Sequence, residues 1–166
     1  MHKILGRFNE IAEGAVFGDG TIIANYCFIG KGVTVGRNCK IGNFSEINSG
    51  VTIGDNTLIN GHCSLNSDTR VGSNVVFGGG VLTGDEKYMT AITSNIQKKP
   101  CVIGDHVKVG QGSRLVCTHI GDYAVIGASS TVLVDHVPEH EVWAGTPAQR
   151  IRRTTPEEDQ MSHVRT

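Results

Sequence analysis

Imidazole titrates near neutral pH, so His62, in the stretch INGHCS, is the first candidate for a proton acceptor. Its column should face outward, where a solvated turn histidine is equally at home. Asn60 beside it could bind an amine or a hydroxyl, and it also suits a turn. Asp85 opens a charged stretch and could orient a base or hold a hydroxyl, although Gly-Asp is ordinary turn chemistry too. Glu86 follows with the same options. His119, in VCTHIGD, lies where a regular spacing shortens, and a register accident would place it there equally well. The five cysteines are odd in number and show no CxxC spacing, which argues against disulfides and structural zinc. Cys27, Cys39 and Cys63 fall in a column of small residues, so they fit a core better than nucleophilic catalysis.

These groups must be positioned by a repeat. Steps of six from Ile11 meet Phe17, Ile23, Ile29, Val35, Ile41, Ile47, Ile53, Ile59, Leu65, Val71 and Phe77, with no polar residue among them. One residue on, the column holds only glycine, alanine and asparagine, suited to a sharp turn or a left-handed backbone angle. Four residues on, from Ala15 to Val81, it holds only small or β-branched residues, suited to a tight inward corner or a short strand. A period of six is no α-helix, whose faces recur near 3.6. The 22 glycines and 5% aromatic content also suit a narrow interior with many tight turns.

The register then breaks. Residues 84–100 hold no repeat and are rich in charge, as a functional excursion does more often than a disordered surface loop. The pattern resumes at Ile103, Val109 and Leu115, then continues one residue early at Ile120, Ile126 and Val132. After Pro138 the sequence predicts a strand through Val142 and Trp143, a turn at Gly145 and a helix opening near Pro147. The segment 139–166 would thus cap the solenoid of residues 1–138, fraying from Thr154 onward. A formal charge of -1 argues against nucleic acid and anionic lipid as partners. No apolar run could span a bilayer and the first residues are no secretion signal, so a cytoplasmic location is expected.

The repeat resembles the left-handed parallel β-helix of the hexapeptide-repeat acyltransferases, in which three hexapeptides make one triangular coil. That resemblance implies an all-β chain of about six coils with one protruding loop and a short C-terminal helix. KPCVIGDHVKVGQGSRLV, HIGDYAVIGASSTVLVDHVP and WAGTPAQRI resemble the C-terminal half of acetyl-CoA-dependent sugar acetyltransferases. INGHCSLNSDTRVGSNVVFGGGVLTGD, followed by the loop, is most similar to N-acetyltransferases acting on nucleotide-linked amino sugars for O-antigen or capsule. The resemblance covers residues 11–153. It implies homotrimers with active sites between subunits, acetyl-CoA as co-substrate and no metal.

It also assigns roles. Gly110, Gly112, Gly127 and Ala128 match the family's positions along the pantetheine arm, where backbone donors could also hold an oxyanion. Arg150, Arg152 and Arg153, with Lys108, would take the phosphates of the coenzyme. Two departures stand out. Where relatives carry a Thr-Lys pair and an arginine, this chain has Leu133-Val134 and Gln149. Where several sugar O-acetyltransferases carry a His-Pro pair before the loop, it reads VLTGDEKY. The missing histidine favours acylation of an amine, which needs positioning and the loss of one proton. Transfer to a sugar hydroxyl is the alternative. A γ-class carbonic anhydrase with His62, His106 and His119 at a metal, and a non-enzymatic scaffold, are remoter ones.

Overall fold

A computed structural model describes residues 4–87 and 98–161. The hexapeptides form strands of two or three residues, each ending in a turn, and the strands stack into three parallel sheets. The first face runs from Ile4–Leu5 to Val125–Ile126. The second runs from Glu10–Ile11 to Thr131–Val132, and the third from Val16–Phe17 to His136–Val137. This parallel solenoid fits a left-handed β-helix.

Burial accounts for the period. One residue of each short strand points inward, so Ile23, Ile41, Ile59, Phe77, Val109 and Ile126 stand in register up the first face. All six are buried. The column four residues on supplies the corners of the interior: Thr21, Cys27, Val33, Cys39, Ser45 and Val51 are buried without exception. Its hydroxyls tie turns together. Thr21 donates to the carbonyl of Gly36 (2.7 Å) and accepts from the Cys39 N–H (3.1 Å). A buried hydroxyl thus meets both hydrogen-bonding needs within the stack.

The solenoid has seven turns, with seven strands on the second and on the third face, where six were expected. The additional positions in this register are Leu5, exposed at the end of the stack, and the buried Thr83 and Val137. Thr83 is polar, so an apolar count passes over it, yet it is buried and its hydroxyl accepts from the Asn66 N–H at 2.8 Å. Val137 follows a second shortened step.

The turn glycines also differ from expectation. In the column one residue past the inward position glycine serves close approach where it occurs: a Cβ on Gly42 would lie 2.4 Å from the Gly61 nitrogen, although Ala24, Asn48 and Asn60 share the column. Positive φ belongs to the column three residues past the inward position. It includes Tyr26 (57°), Phe44 (59°), Asn56 (54°), His62 (61°) and Tyr123 (61°), as well as Gly80 and Gly112 (both 73°).

The C-terminal segment caps the stack differently from expectation. Glu141–Gly145 extends the first face, and Ala148–Arg153 folds back on it as an antiparallel strand. No helix opens at Pro147. That residue sits in the hairpin turn behind Gly145 (φ 102°), and the strand edge at Glu141–Gly145 captures the backbone of the segment that follows. The helix comes later, over Pro156–Gln160, with Thr155 and Glu158 forming a capping box. Residues 154–161 thus carry a capped helical turn where fraying was expected, and residues 162–166 lie outside the described ones.

Candidate functional site

The prism has three corners, and the expected site residues divide among them. Asn60, His62, Gly110, Gly112, Gly127 and Ala128 all lie on the corner between the first and second faces. Asp85 and Glu86 lie where the excursion leaves the corner between the second and third faces. His119 lies outward on the third face, while Lys108, Arg150, Arg152 and Arg153 belong to the first face and the cap.

The first corner is built from two aligned columns. At its positive-φ position stand Phe8, Tyr26, Phe44 and His62, one per turn. Their rings stack face to face with centroids 4.9, 5.1 and 5.1 Å apart. The same backbone bond fixes each level: the N–H of Phe44, His62, Gly80 and Gly112 donates to Asn25, Asn43, Gly61 and Gly79 respectively, at 2.9–3.0 Å. The ring column therefore ends at His62, because the next two positions are glycine. One face of the imidazole rests on Phe44. The other faces a notch floored by Gly80 and Gly112. The period of eighteen in Phe8, Tyr26, Phe44 and His62 is the sequence signal that marks this column, and the stronger period of six overlies it.

Backbone amides are arranged around this notch, though not as the resemblance implied. The N–H groups of Gly110, Gly112 and Gly127 donate to Ile126, Gly79 and Trp143, at 2.7, 2.9 and 2.8 Å. They are occupied inside the stack. What these glycines contribute is absent bulk: a Cβ on Gly110 would lie 2.3 Å from the Ala128 nitrogen. Asn60 is likewise partly committed, its amide donating to the Phe77 carbonyl at 2.9 Å.

Asp85 is buried at 8% exposure, accepts from the Asn66 amide at 2.9 Å and pairs with Lys98 at 3.3 Å. Its carbonyl also accepts from the Lys99 N–H at 3.0 Å. Asp85 thus pins the base of the excursion, whose residues 88–97 lie outside the described residues. The width of the second face separates it from His62, so the two do not meet within one chain. Nearby, Lys87 and Lys99 converge on Asp135 at 3.2 and 3.5 Å. The hydrogen bond and charge of Lys87, supported by Lys99, hold the Asp135 carboxyl below the usual range. His119 meets His136 edge to face, with centroids 5.3 Å apart, in a cleft with Asp122 and Glu139.

The basic residues are engaged by the cap. Arg150 Nε donates to Glu141 at 2.7 Å, and Arg152 donates to both oxygens of Glu158 at 2.8 and 2.7 Å. The Arg152 fork, with the Thr155 N–H, pulls the Glu158 carboxyl down to about 2. Lys108 Nζ donates to the Glu158 carbonyl at 3.0 Å. Arg153, exposed on the outer strand, stands opposite Glu141 in the hairpin.

The cysteines are core residues. All five are free and buried, and burial pushes the thiols of Cys27, Cys39, Cys63, Cys101 and Cys117 up. Within one chain His62, His106 and His119 occupy two corners and a face, and they do not converge. Among the described residues no helix is long and apolar enough to cross a membrane.

These features define a hexapeptide-repeat β-helix. Residues 14–49 match the family model for the bacterial transferase hexapeptide (six repeats). No curated protein matches the chain. Among solved structures it is similar to the polySia-specific acetyltransferase NeuO, at 20% identity and TM-score 0.65 over 91% of this chain and 75% of that one. It is similar to a hexapeptide-repeat acetyltransferase of Vibrio cholerae O1 biovar eltor complexed with acetyl coenzyme A (22%, 0.60, 82% and 72%). A third is a variant of AntD, an N-acyltransferase from Bacillus cereus, in complex with dTDP and coenzyme A (13%, 0.58, 96% and 87%). At these identities the likeness establishes the shared fold.

Proposed function

We propose that the protein is an acetyl-CoA-dependent acyltransferase that acetylates an amino group of a nucleotide-linked sugar by direct transfer. The observation that carries this reading is the notch where the ring column stops: an imidazole with one free face, opening onto glycines that leave room along the same corner. Acetyl-CoA would lie along Gly110, Gly112, Gly127 and Ala128, with its phosphates toward Lys108, Arg150, Arg152 and Arg153. The complexes of similarly folded proteins with acetyl coenzyme A, and with dTDP and coenzyme A, support the choice of donor and of acceptor class.

The chemistry then balances without an acyl-enzyme. The amine lone pair attacks the thioester carbonyl, the C–S bond breaks and an amide forms. His62 takes the amine proton, and the departing sulfur is protonated. Asp85 would serve from the neighbouring subunit of a homotrimer, because the width of a face separates it from His62 in its own chain. Glu86 and His119 would border the acceptor from that side.

The test measures acetyl transfer from acetyl-CoA to a panel of nucleotide-linked sugars bearing an amine or only hydroxyls. Transfer to amines is expected; transfer confined to hydroxyls, or no binding to immobilised CoA, would overturn the reading. His62→Ala should lower kcat about a hundredfold. An unchanged kcat removes His62 as the base.

A further inference from the structure

Two columns of the first corner are both missing at the turn of Gly79 and Gly80, and together they specify what belongs above His62. The first is the ring column Phe8, Tyr26, Phe44, His62, followed by Gly80. The second is a row of carboxamides one residue earlier in each turn. The Arg7 N–H donates to Asn25 Oδ1 at 2.8 Å, and the Asn25 N–H donates to Asn43 Oδ1 at 2.8 Å. Each asparagine thus lays its C=O on the amide of the turn before. The next residues in that row are Gly61 and Gly79, which have no side chain with which to continue it. The carboxamide row thus ends one turn before the ring column, and among the described residues the Gly61 N–H has no side-chain acceptor beside an imidazole with no ring above it.

The corresponding row on the corner between the third and first faces runs on without a gap. The N–H groups of Arg37, Asp55, Ser73 and Asp105 donate to Asp55, Ser73, Asp105 and Asp122, at 2.7, 3.0, 2.8 and 2.8 Å. The interruption therefore distinguishes this corner from the one between the third and first faces.

We propose that this gap is a seat for a planar amide of the ligand, which lies flat on the free face of His62 and accepts from the Gly61 N–H. The group would replace both missing columns at once, the ring by its plane and the asparagine by its carbonyl. The proposal rests on the acyltransferase reading and narrows it. Two sources could supply the amide: the pantetheine arm of the donor, or an acetamido group already present on the acceptor. Gly80 itself marks the seat. Its φ of 73° is no barrier to a ring, since Phe8, Tyr26 and Phe44 hold φ of 57–59° in the same column. Gly80→Phe should continue the stack and occupy the site.

The test titrates wild type, Gly80→Phe, His62→Phe and His62→Ala with two probes. One is acetyl-CoA. The other is UDP-N-acetylglucosamine, with UDP-glucose as its amide-free control. Calorimetry gives affinity, and proton NMR gives the upfield shift of probe protons held over a ring. Gly80→Phe should weaken the amide-bearing probe at least tenfold, with an unaltered circular dichroism spectrum. His62→Phe should keep the affinity within about threefold while losing kcat, and His62→Ala should lose both affinity and the upfield shift. An effect on acetyl-CoA alone assigns the seat to the donor, and an effect on UDP-N-acetylglucosamine alone assigns it to the acceptor. If Gly80→Phe fails to fold, the pair at His62 decides: equal loss in His62→Phe and His62→Ala overturns the stacking. Wild type that binds acetyl-CoA, with neither probe weakened in Gly80→Phe, overturns the seat and leaves the acyltransferase reading standing. Wild type that binds neither probe removes both.

Discussion

The corner between the first and second faces and the corner between the third and first faces are made from the same backbone turn, and they are finished in opposite ways. The first is filled with rings in its early turns and emptied by Gly80 and Gly112 in its later ones. The other runs from Gly20 through Asn38, Asn56 and Asn74 and ends in a tight stack of His106, Tyr123 and His140, with centroids 4.5 and 4.8 Å apart. That stack is then bolted to the C-terminal helix by a 2.9 Å contact between His140 and Asp159. A solenoid repeats its backbone and varies its side chains, so a site is made by leaving a column out. The emptied corner is where a ligand fits, and the filled one holds the cap.

The comparison can be broken at the scaffold the corners share. Phe77, fully buried between Ile59 and Val109, supports both, and Phe77→Ala should cost about 3–5 kcal/mol in denaturant unfolding. Binding and cap order should be lost together. A sharper test fills one corner at a time. Gly112→Tyr should weaken acetyl-CoA binding at least tenfold by calorimetry, whereas Asn74→Tyr, in the equivalent column of the other corner, should leave it within about twofold. Equal losses would mean that the corners do not differ in function.

The cap gives smaller effects. With the Glu158 carboxyl pulled down to about 2 from an ordinary 4.5, its pair with Arg152 contributes above about pH 4.5. That contribution is lost as the pH falls from there towards 2. Helix resonances followed by NMR should therefore hold at pH 5 and collapse only in strong acid, and Arg152→Ala should move the collapse up towards pH 4.5. Least of all, His140→Ala should destabilise the protein by about 0.5 kcal/mol, as a half-exposed pair does, with acetyl-CoA affinity unchanged.

The inward columns were legible because burial tolerates only apolar or small residues there, and the period of six records that demand directly. Thr83 escaped because a hydroxyl satisfied by its neighbours can occupy an apolar position. The left-handed column escaped for another reason. Local strain at φ near 60° is met here by Tyr26, Asn56 and His62 as readily as by Gly80, so residue type does not mark it. The grouping of His62 with Gly110, Gly112, Gly127 and Ala128 was implicit in the register, since all fall just after strands of the first face. The engagement of Arg150 and Arg152 was not, because Glu141 and Glu158 reach them only through a hairpin that the sequence suggested as a helix.

The buried thiols make time measurable. Cys27, Cys39, Cys63 and Cys101 point their Sγ–H at carbonyls one turn further on, at 3.2, 3.0, 3.3 and 3.3 Å, and each sits at a different height in the stack. A thiol reagent can reach one of them only when the turn around it opens. The order in which the five sulfurs become labelled would therefore record which end of the coil unwinds first, with no probe added to the chain.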